Sequence, residues 1–325
     1  MKAAVLAAGL GTRLKPLTDV CPKPLLPVLN RPLLGVVLAQ LEAAGCLQVA
    51  VNTHHLADQV HDFLRAQPWS FLLSVSHEPE ILGTGGGLRQ LGEILREGPF
   101  LAVNADILTD LDLAEVYRAH RPGDVSTLVL HDCPAYNNVW VAGGRVVSIG
   151  APPPGGAPYE EYEKYEKYEK PLAYTGVQVV DRKMLTYIPP GGSFNLVQVW
   201  RKAMAAGERL AYLTVSGHFW QDLGTPEHYL AAHRRLLAGA SPKLGRFFPG
   251  LTDPLIGSGA RIGAGAHFGG GVCLGAKAVV EEGAFLKNTV VWDRAVIAPG
   301  VELEDCIVAS GVQVKDSARG LVLVA

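Results

Sequence analysis

Residues Ala3 to Pro24 read AAVLAAGLGTRLKPLTDVCPKP. The first six are small and apolar, and glycines stop the run at Gly9 and Gly11. That pattern predicts a buried strand over 3–8 followed by a tight turn. Glycine there permits positive φ and lets a ligand approach bare backbone. Successive amide N–H groups in such a turn form an anion-binding concavity. Arg13 can fork onto phosphate oxygens, and Lys23 adds a point charge. Two common phosphate loops are excluded. The dinucleotide fingerprint needs glycine at position 14, which is Leu14, and Gly-Lys-Ser/Thr occurs nowhere in the chain. On the Gly-x-Gly alone, a strand-to-helix turn with solvated basic residues is an equally good reading.

Strand and helix patterns alternate outward from this loop. Strands are predicted over 47–52, 71–76 and 100–104, with helices over 32–44, 56–64 and 88–95. Such alternation implies an α/β fold with a mostly parallel, Rossmann-like sheet and helices on both faces. Ligands of these sheets lie beyond the carboxyl ends of the strands, which both the opening loop and Asp106 can reach. Strands over 173–180 and 210–215 and helices over 194–206 and 226–237 continue the pattern. Between them, 151–168 is a low-complexity loop, a proline-glycine run followed by Tyr-Glu-Lys copies.

After a Gly- and Pro-rich stretch the period becomes six. Ile256, Ile262, Phe268, Leu274, Val280 and Leu286 are evenly spaced, and after one skipped register Val291, Ile297 and Leu303 resume. This is the hexapeptide pattern of a left-handed parallel β-helix of roughly four coils. The expected domains are therefore a catalytic one over 1–239, a linker over 240–251 and the β-helix over 252–325.

Composition narrows the functional classes. The chain has 325 residues, 48% of them hydrophobic, and a net charge of −2. This gives no reason to expect nucleic acid or an anionic membrane as partner. Five scattered cysteines argue against a disulfide framework or structural zinc and suit a reducing cytoplasm. His54-His55 diverge from a shared strand end and make a poor chelate.

The opening segment carries more than its glycines. Gly9-Leu10-Gly11-Thr12-Arg13, Pro16-Leu17-Thr18 and Pro22-Lys23-Pro24 together resemble the signature of the sugar-1-phosphate nucleotidyltransferases, the nucleotide-sugar pyrophosphorylases. The pattern is closest to mannose-1-phosphate guanylyltransferase-like enzymes with a hexapeptide tail. The resemblance implies an enzyme that joins a nucleoside triphosphate to a sugar 1-phosphate and releases pyrophosphate, best matched to GTP and mannose 1-phosphate. It implies nucleotide binding by Leu6, Ala8, Gly9, Gly11, Thr12, Arg13 and Lys23, and by Gly83, Thr84 and Gly85 of the LGTGGG turn. Glu80 stands near the acidic residue that precedes that turn in relatives. Mg²⁺ is implied as cofactor, held by Asp106 and Asp222, the latter in Asp-x-Gly-Thr-Pro. Ala105 replaces the usual glycine before Asp106, and Tyr136-Asn137-Asn138 stand where many relatives have a Tyr-Gly facing the sugar. Glu169 and Lys170 before Pro171, with Asn104, Thr175 and Gly176, would meet the sugar phosphate; the upstream Glu-Lys copies lack the proline anchor. The β-helix implies a homo-oligomer. Three alternatives stay open: a uridylyl- or thymidylyltransferase acting on another hexose 1-phosphate, a non-catalytic regulatory subunit of the same fold, and acyl transfer by the β-helix around His267.

Overall fold

The computed structural model describes residues 1–152 and 170–324. Glu169, the earlier Glu-Lys copies and most of the 151–168 loop lie outside the described residues. Two compact units divide the chain. One comprises Met1–Gly9, Gln40–Ile107 and Leu111–His218; the other comprises Leu10–Ala39, Leu108–Asp110 and Phe219–Ala325.

The first unit holds a seven-stranded sheet. In chain order its strands are β1 (Lys2–Leu6), β2 (Gln48–Thr53), β3 (Leu72–His77), β4 (Phe100–Asn104), β5 (Asp124–His131), β6 (Ala173–Val180) and β7 (Arg209–Thr214). Their order across the sheet is β7-β5-β6-β4-β1-β2-β3. Strand β6 runs antiparallel to both neighbours, and every other pair is parallel. Central β1 is closed to water on both faces, with Ala3, Ala4 and Val5 fully buried, as a continuous apolar run requires. Ala4 lies level with Ala50 of β2 and Ala102 of β4. This stripe of small residues shares a core with Leu88, Leu91 and Leu95 of the helix Gly83–Leu95.

That helix starts at Gly83, five residues before the start expected at 88. Glycine disfavours helix by about 1 kcal/mol relative to alanine, so LGTGGG reads as loop on propensity. Packing decides otherwise. A Cβ at Gly92 would sit 2.5 Å from Leu185 Cδ1, and one at Gly85 would sit 3.0 Å from the Phe194 carbonyl. Strand β5 had no counterpart in the sequence reading. Its eight residues DVSTLVLH are all buried, including Asp124, Ser126, Thr127 and His131. Ser126 compensates its burial by bonding Gln178 Oε1 of β6 at 2.8 Å.

In the second unit, thirteen short strands among the described residues stack into three parallel sheets, a β-helix of a little over four coils. All nine apolar positions read from the period fall in these strands. Coils pair residues eighteen apart at first, Leu255 with Cys273, and seventeen apart after the skip, Cys273 with Val290. The glycine after each of the first four apolar residues has a steric cause: a Cβ at Gly275 would lie 2.5 Å from Asp293 N in the next coil. Segment 240–251, expected as a linker, carries the short helix Pro242–Gly245, and Leu244, Phe247 and Phe248 are buried. They join a core that also takes in Leu14, Leu17 and Leu26 from the opening segment and Trp292 and Ile307 from the β-helix.

His233 pins this core. Its Nδ1 lies 2.9 Å from the Tyr229 carbonyl and its Nε2 accepts from the Leu29 amide at 3.1 Å, which fixes the neutral Nδ1–H tautomer. Burial lowers its pKa from 6.5 to about 4. The unfolded chain therefore protonates first, and stability present above pH 6.5 is lost as pH falls towards 4. The loss should reach up to about 3 kcal/mol. Urea midpoints measured from pH 7 to 4.5 should fall steeply in the wild type and less steeply in His233→Gln. The comparison between the two is needed because burial also lowers His131 to about 4.

Candidate active site

The opening segment folds back on itself in the second unit. Gly11, at φ 65°, precedes a tight turn over Thr12–Leu14. A Cβ there would lie 2.8 Å from Thr18 Cγ2 and 3.2 Å from Lys23 Cβ. The Thr18 hydroxyl donates to the Gly11 carbonyl at 3.0 Å. The glycine, the threonine and the proline-flanked lysine of the three signature pieces thus form one packed knot, anchored by buried Leu14 and Leu17. Lys23 is only 8% exposed, an ammonium held close to the turn it serves. By contrast, a Cβ at Gly9 would meet no described atom within 4 Å, so that stretch of backbone is open to approach.

Asp222 ends the strand Trp220–Asp222 and is buried. Thr225 follows as N-cap of the helix Pro226–Leu237, its hydroxyl accepting from the His228 amide at 3.3 Å. Gly224 lies between acid and base. A Cβ on it would fall 2.5 Å from Arg13 Nη2 and 2.8 and 2.9 Å from the two Asp222 carboxylate oxygens. Two segments some two hundred residues apart, one basic and one acidic, converge on a glycine. His228 Nδ1 stands 3.6 Å from Asp222 Oδ2.

In the first unit, β1 and β4 end side by side, with Leu6 level with Asn104. The Ala105 amide extends the ladder by donating to the Leu6 carbonyl at 3.0 Å. Ala105 is buried without positive φ, so this backbone tolerates alanine where relatives carry glycine, and Asp106 follows at the strand end. Gly176, at φ 87°, interrupts the β5/β6 register. A Cβ there would crowd Ile107 at 2.7 Å and Asn104 at 3.4 Å. Buried Thr175 donates to the Val129 carbonyl at 2.9 Å and shapes the same irregularity.

The LGTGGG turn packs against residues 192–196. Gly85 N–H donates to the Phe194 carbonyl at 2.8 Å, and Thr84 Oγ1 accepts from the Leu196 amide at 3.0 Å. The glycines at 83, 85 and 86 all make room for this segment, so their first role is packing. Glu80 is exposed. The acidic residue engaged with the turn is Glu78, fully buried and accepting from the Leu82 amide at 3.0 Å.

Lys170 Nζ lies 2.8 Å from Asp132 Oδ2, both half exposed. Hydrogen bonds from Lys170 and then from Asn137 hold the Asp132 carboxyl below the usual carboxylate range. Asn137 does so while accepting from the Cys133 amide at 2.9 Å, so it organises the turn that carries Asp132. The sequence reading missed Asn52, Glu78, Asp132 and Gly224. Glu78, two residues from the predicted acid, and Gly224, inside the Asp-x-Gly-Thr-Pro motif, had usable motif signals.

A family description, nucleotidyl transferase, matches residues 2–239. The chain belongs to the nucleotidyl transferase family. Among curated proteins, a UTP–glucose-1-phosphate uridylyltransferase of Synechocystis is 27% identical over 95% of this chain and 87% of its own. A mannose-1-phosphate guanylyltransferase of Mycobacterium tuberculosis is 28% identical, covering 93% and 82% respectively. An N-acetylmuramate alpha-1-phosphate uridylyltransferase of Caulobacter vibrioides is 31% identical over 72% of this chain and 96% of its own. The solved inositol-1-phosphate CTP transferase from T. maritima shares the fold at a TM-score of 0.60 and 17% identity, covering 77% of this chain and 97% of that one.

In this nucleotidyl transferase, Gly224→Ala tests the convergence directly. Arg13 can swing away, but the short, buried Asp222 side chain cannot. Turnover should drop by at least about tenfold, with the melting temperature within about 2 °C of wild type. Steady-state kinetics and a thermal melt on the purified variant check both.

Proposed function

We propose that this nucleotidyl transferase couples a sugar 1-phosphate to a nucleoside triphosphate, releasing pyrophosphate and an NDP-sugar, and that its pair is GTP with mannose 1-phosphate. The observation that carries the reading is the gathering of Arg13 and Asp222 around Gly224 beside the Gly11–Thr18–Lys23 knot. A phosphate oxygen of the sugar phosphate attacks the α-phosphorus, and the bond to the β-phosphate oxygen breaks. The nucleophile is already an anion, so no general base is needed, and placing and neutralising charge is the main task. Arg13 and Lys23 supply positive charge to the triphosphate, along the open backbone at Gly9. Lys170 receives the sugar phosphate. Its present partner Asp132 is a solvent-exposed carboxylate, a weakly held pair that a phosphate dianion can displace. Asn104, Thr175 and Gly176 frame the sugar, and the resemblance adds Glu169, which lies outside the described residues.

The donor set suits Mg²⁺. Among the described residues no group of three or more acidic, histidine or cysteine side chains could cage a metal. Mg²⁺ needs no such cage, since one or two carboxylates suffice when phosphate and water complete its shell. Asp106 and Asp222 are the carboxylates assigned to it. When bound, Mg²⁺ would neutralise charge on the triphosphate oxygens.

The likeness to the mycobacterial guanylyltransferase, over 93% of this chain and 82% of that one, supports this base and sugar. A uridylyltransferase is the second reading, favoured by the Synechocystis and Caulobacter relatives. Pyrophosphate release measured for GTP, UTP, CTP and dTTP against mannose, glucose and N-acetylmuramate 1-phosphates decides. GTP with mannose 1-phosphate should give the highest kcat/KM. A higher value with UTP replaces the base assignment, and no release with any pair overturns the reaction.

Lys170→Ala should cost about 1.5–3 kcal/mol of transition-state stabilisation, read as a raised KM for the sugar phosphate. Lys164→Ala, without the proline that restricts Lys170 to extended backbone, should stay within about 0.5 kcal/mol of wild type. Kinetics with the sugar phosphate varied separate the two.

A further inference from the structure

Three buried polar groups in the first unit form a chain that neither the opening loop nor the glycine-rich turn accounts for alone. The Ala7 amide donates to Asn52 Oδ1 at 2.6 Å. Asn52 Nδ2 donates to Glu78 Oε1 at 2.7 Å. Glu78 Oε2 accepts from the Leu82 amide at 3.0 Å. Asn52 is 2% exposed and Glu78 is fully buried. One end of the chain is the backbone just before Ala8 and Gly9, and the other is the backbone that opens LGTGGG. Gly87 leaves the space for it: a Cβ there would sit 2.5 Å from Asn52 Nδ2 and 2.9 Å from Glu78 Oε1.

The geometry points to Glu78 and Asn52 as positioning residues that set the separation of the two nucleotide-binding loops. This inference rests on the function proposed above, in which both loops hold the triphosphate substrate. The chain has a polarity that only these residue types satisfy. Position 78 faces a donor at each end, so it must offer two acceptors, which a carboxylate does and a carboxamide does not. Position 52 must accept at one end and donate at the other, which a carboxamide does and a carboxylate does not. A strut of this kind touches no substrate. It acts by keeping the Ala7–Gly9 backbone and the Leu82–Gly83 backbone in register, and Asn52 and Glu78 are buried deeply enough that a broken link leaves an unsatisfied group.

A reciprocal exchange tests it. Glu78→Gln turns an NH₂ towards one of two N–H donors. Asn52→Asp sets two carboxylates against each other. In N52D/E78Q the chain closes again: the new carboxylate accepts from Ala7 and from the new amide, whose oxygen accepts from Leu82, with no change in net charge. Pyrophosphate release is followed with GTP and with UTP as the varied substrate, then with the sugar phosphate varied, alongside a melting curve. Each single variant should raise the KM for the triphosphate at least about tenfold and leave the sugar-phosphate KM within about twofold; the double variant should restore the former to within about threefold. Single variants that melt earlier with unchanged triphosphate KM would show a purely structural role and overturn the inference. Should the singles not fold, the double decides: wild-type KM supports the strut, and a folded double with a raised KM overturns it. If the wild type turns over neither triphosphate, the functional reading fails and takes the strut with it, an outcome distinct from turnover with an unmoved KM.

Discussion

Close approach between one helix and three strands governs the first unit. Ala4, Ala50 and Ala102 present no side chain longer than a methyl group, and the helix Gly83–Leu95 brings glycines to its contact face. Packing at that distance leaves no slack. It draws the start of the helix against residues 192–196, where Gly85 and Thr84 bond Phe194 and Leu196. It also leaves at Gly87 only the volume that the Asn52 and Glu78 side chains fill. The glycine-rich turn is thus first a packing solution.

Electrostatics follow the same division between fixed and exchangeable groups. Lys23 and Asp222 are buried and held by the fold, so in the proposed site their charges would be oriented before a ligand arrives, which is where fixed charges stabilise most. Lys170 and Asp132 are half exposed and hold each other through a hydrogen-bonded turn. Such a pair contributes little to stability and gives way cheaply to a stronger anion.

Much of this was legible in residue order. The period of six gave the β-helix because each inward position repeats one local environment, with a steric rule for the glycines of the first coils seen at Gly275. The opening knot was legible because Gly11, Thr18 and Lys23 lie within one short segment. What escaped needed the third dimension. Strand β5 hides behind Asp124, Ser126 and Thr127, whose burial is compensated by bonds to Arg209, Gln178 and His120 respectively. The helix start at Gly83 contradicts propensity and is explained only by what packs on it. Asn52 and Glu78 look like ordinary strand-end polar residues until the parallel pairing of β2 and β3 sets them side by side. Gly224 draws its meaning from Arg13, far away in the chain.

The core of the second unit carries a further consequence. Leu14, Leu17, Leu26 and Val28 of the opening segment are buried in the same cluster as Phe247, Cys273, Trp292 and Ile307. Asn30 donates to the Leu274 carbonyl at 2.8 Å, and Trp292 Nε1 donates to the Tyr229 hydroxyl at 3.1 Å. The β-helix is therefore no detachable appendage. Ending the chain at residue 239 would strip the apolar cover from the loop that bears Arg13 and Lys23. The coils serve as footing for the opening segment, so a substitution at Trp292 or Ile307 reaches the Arg13 loop through shared packing alone.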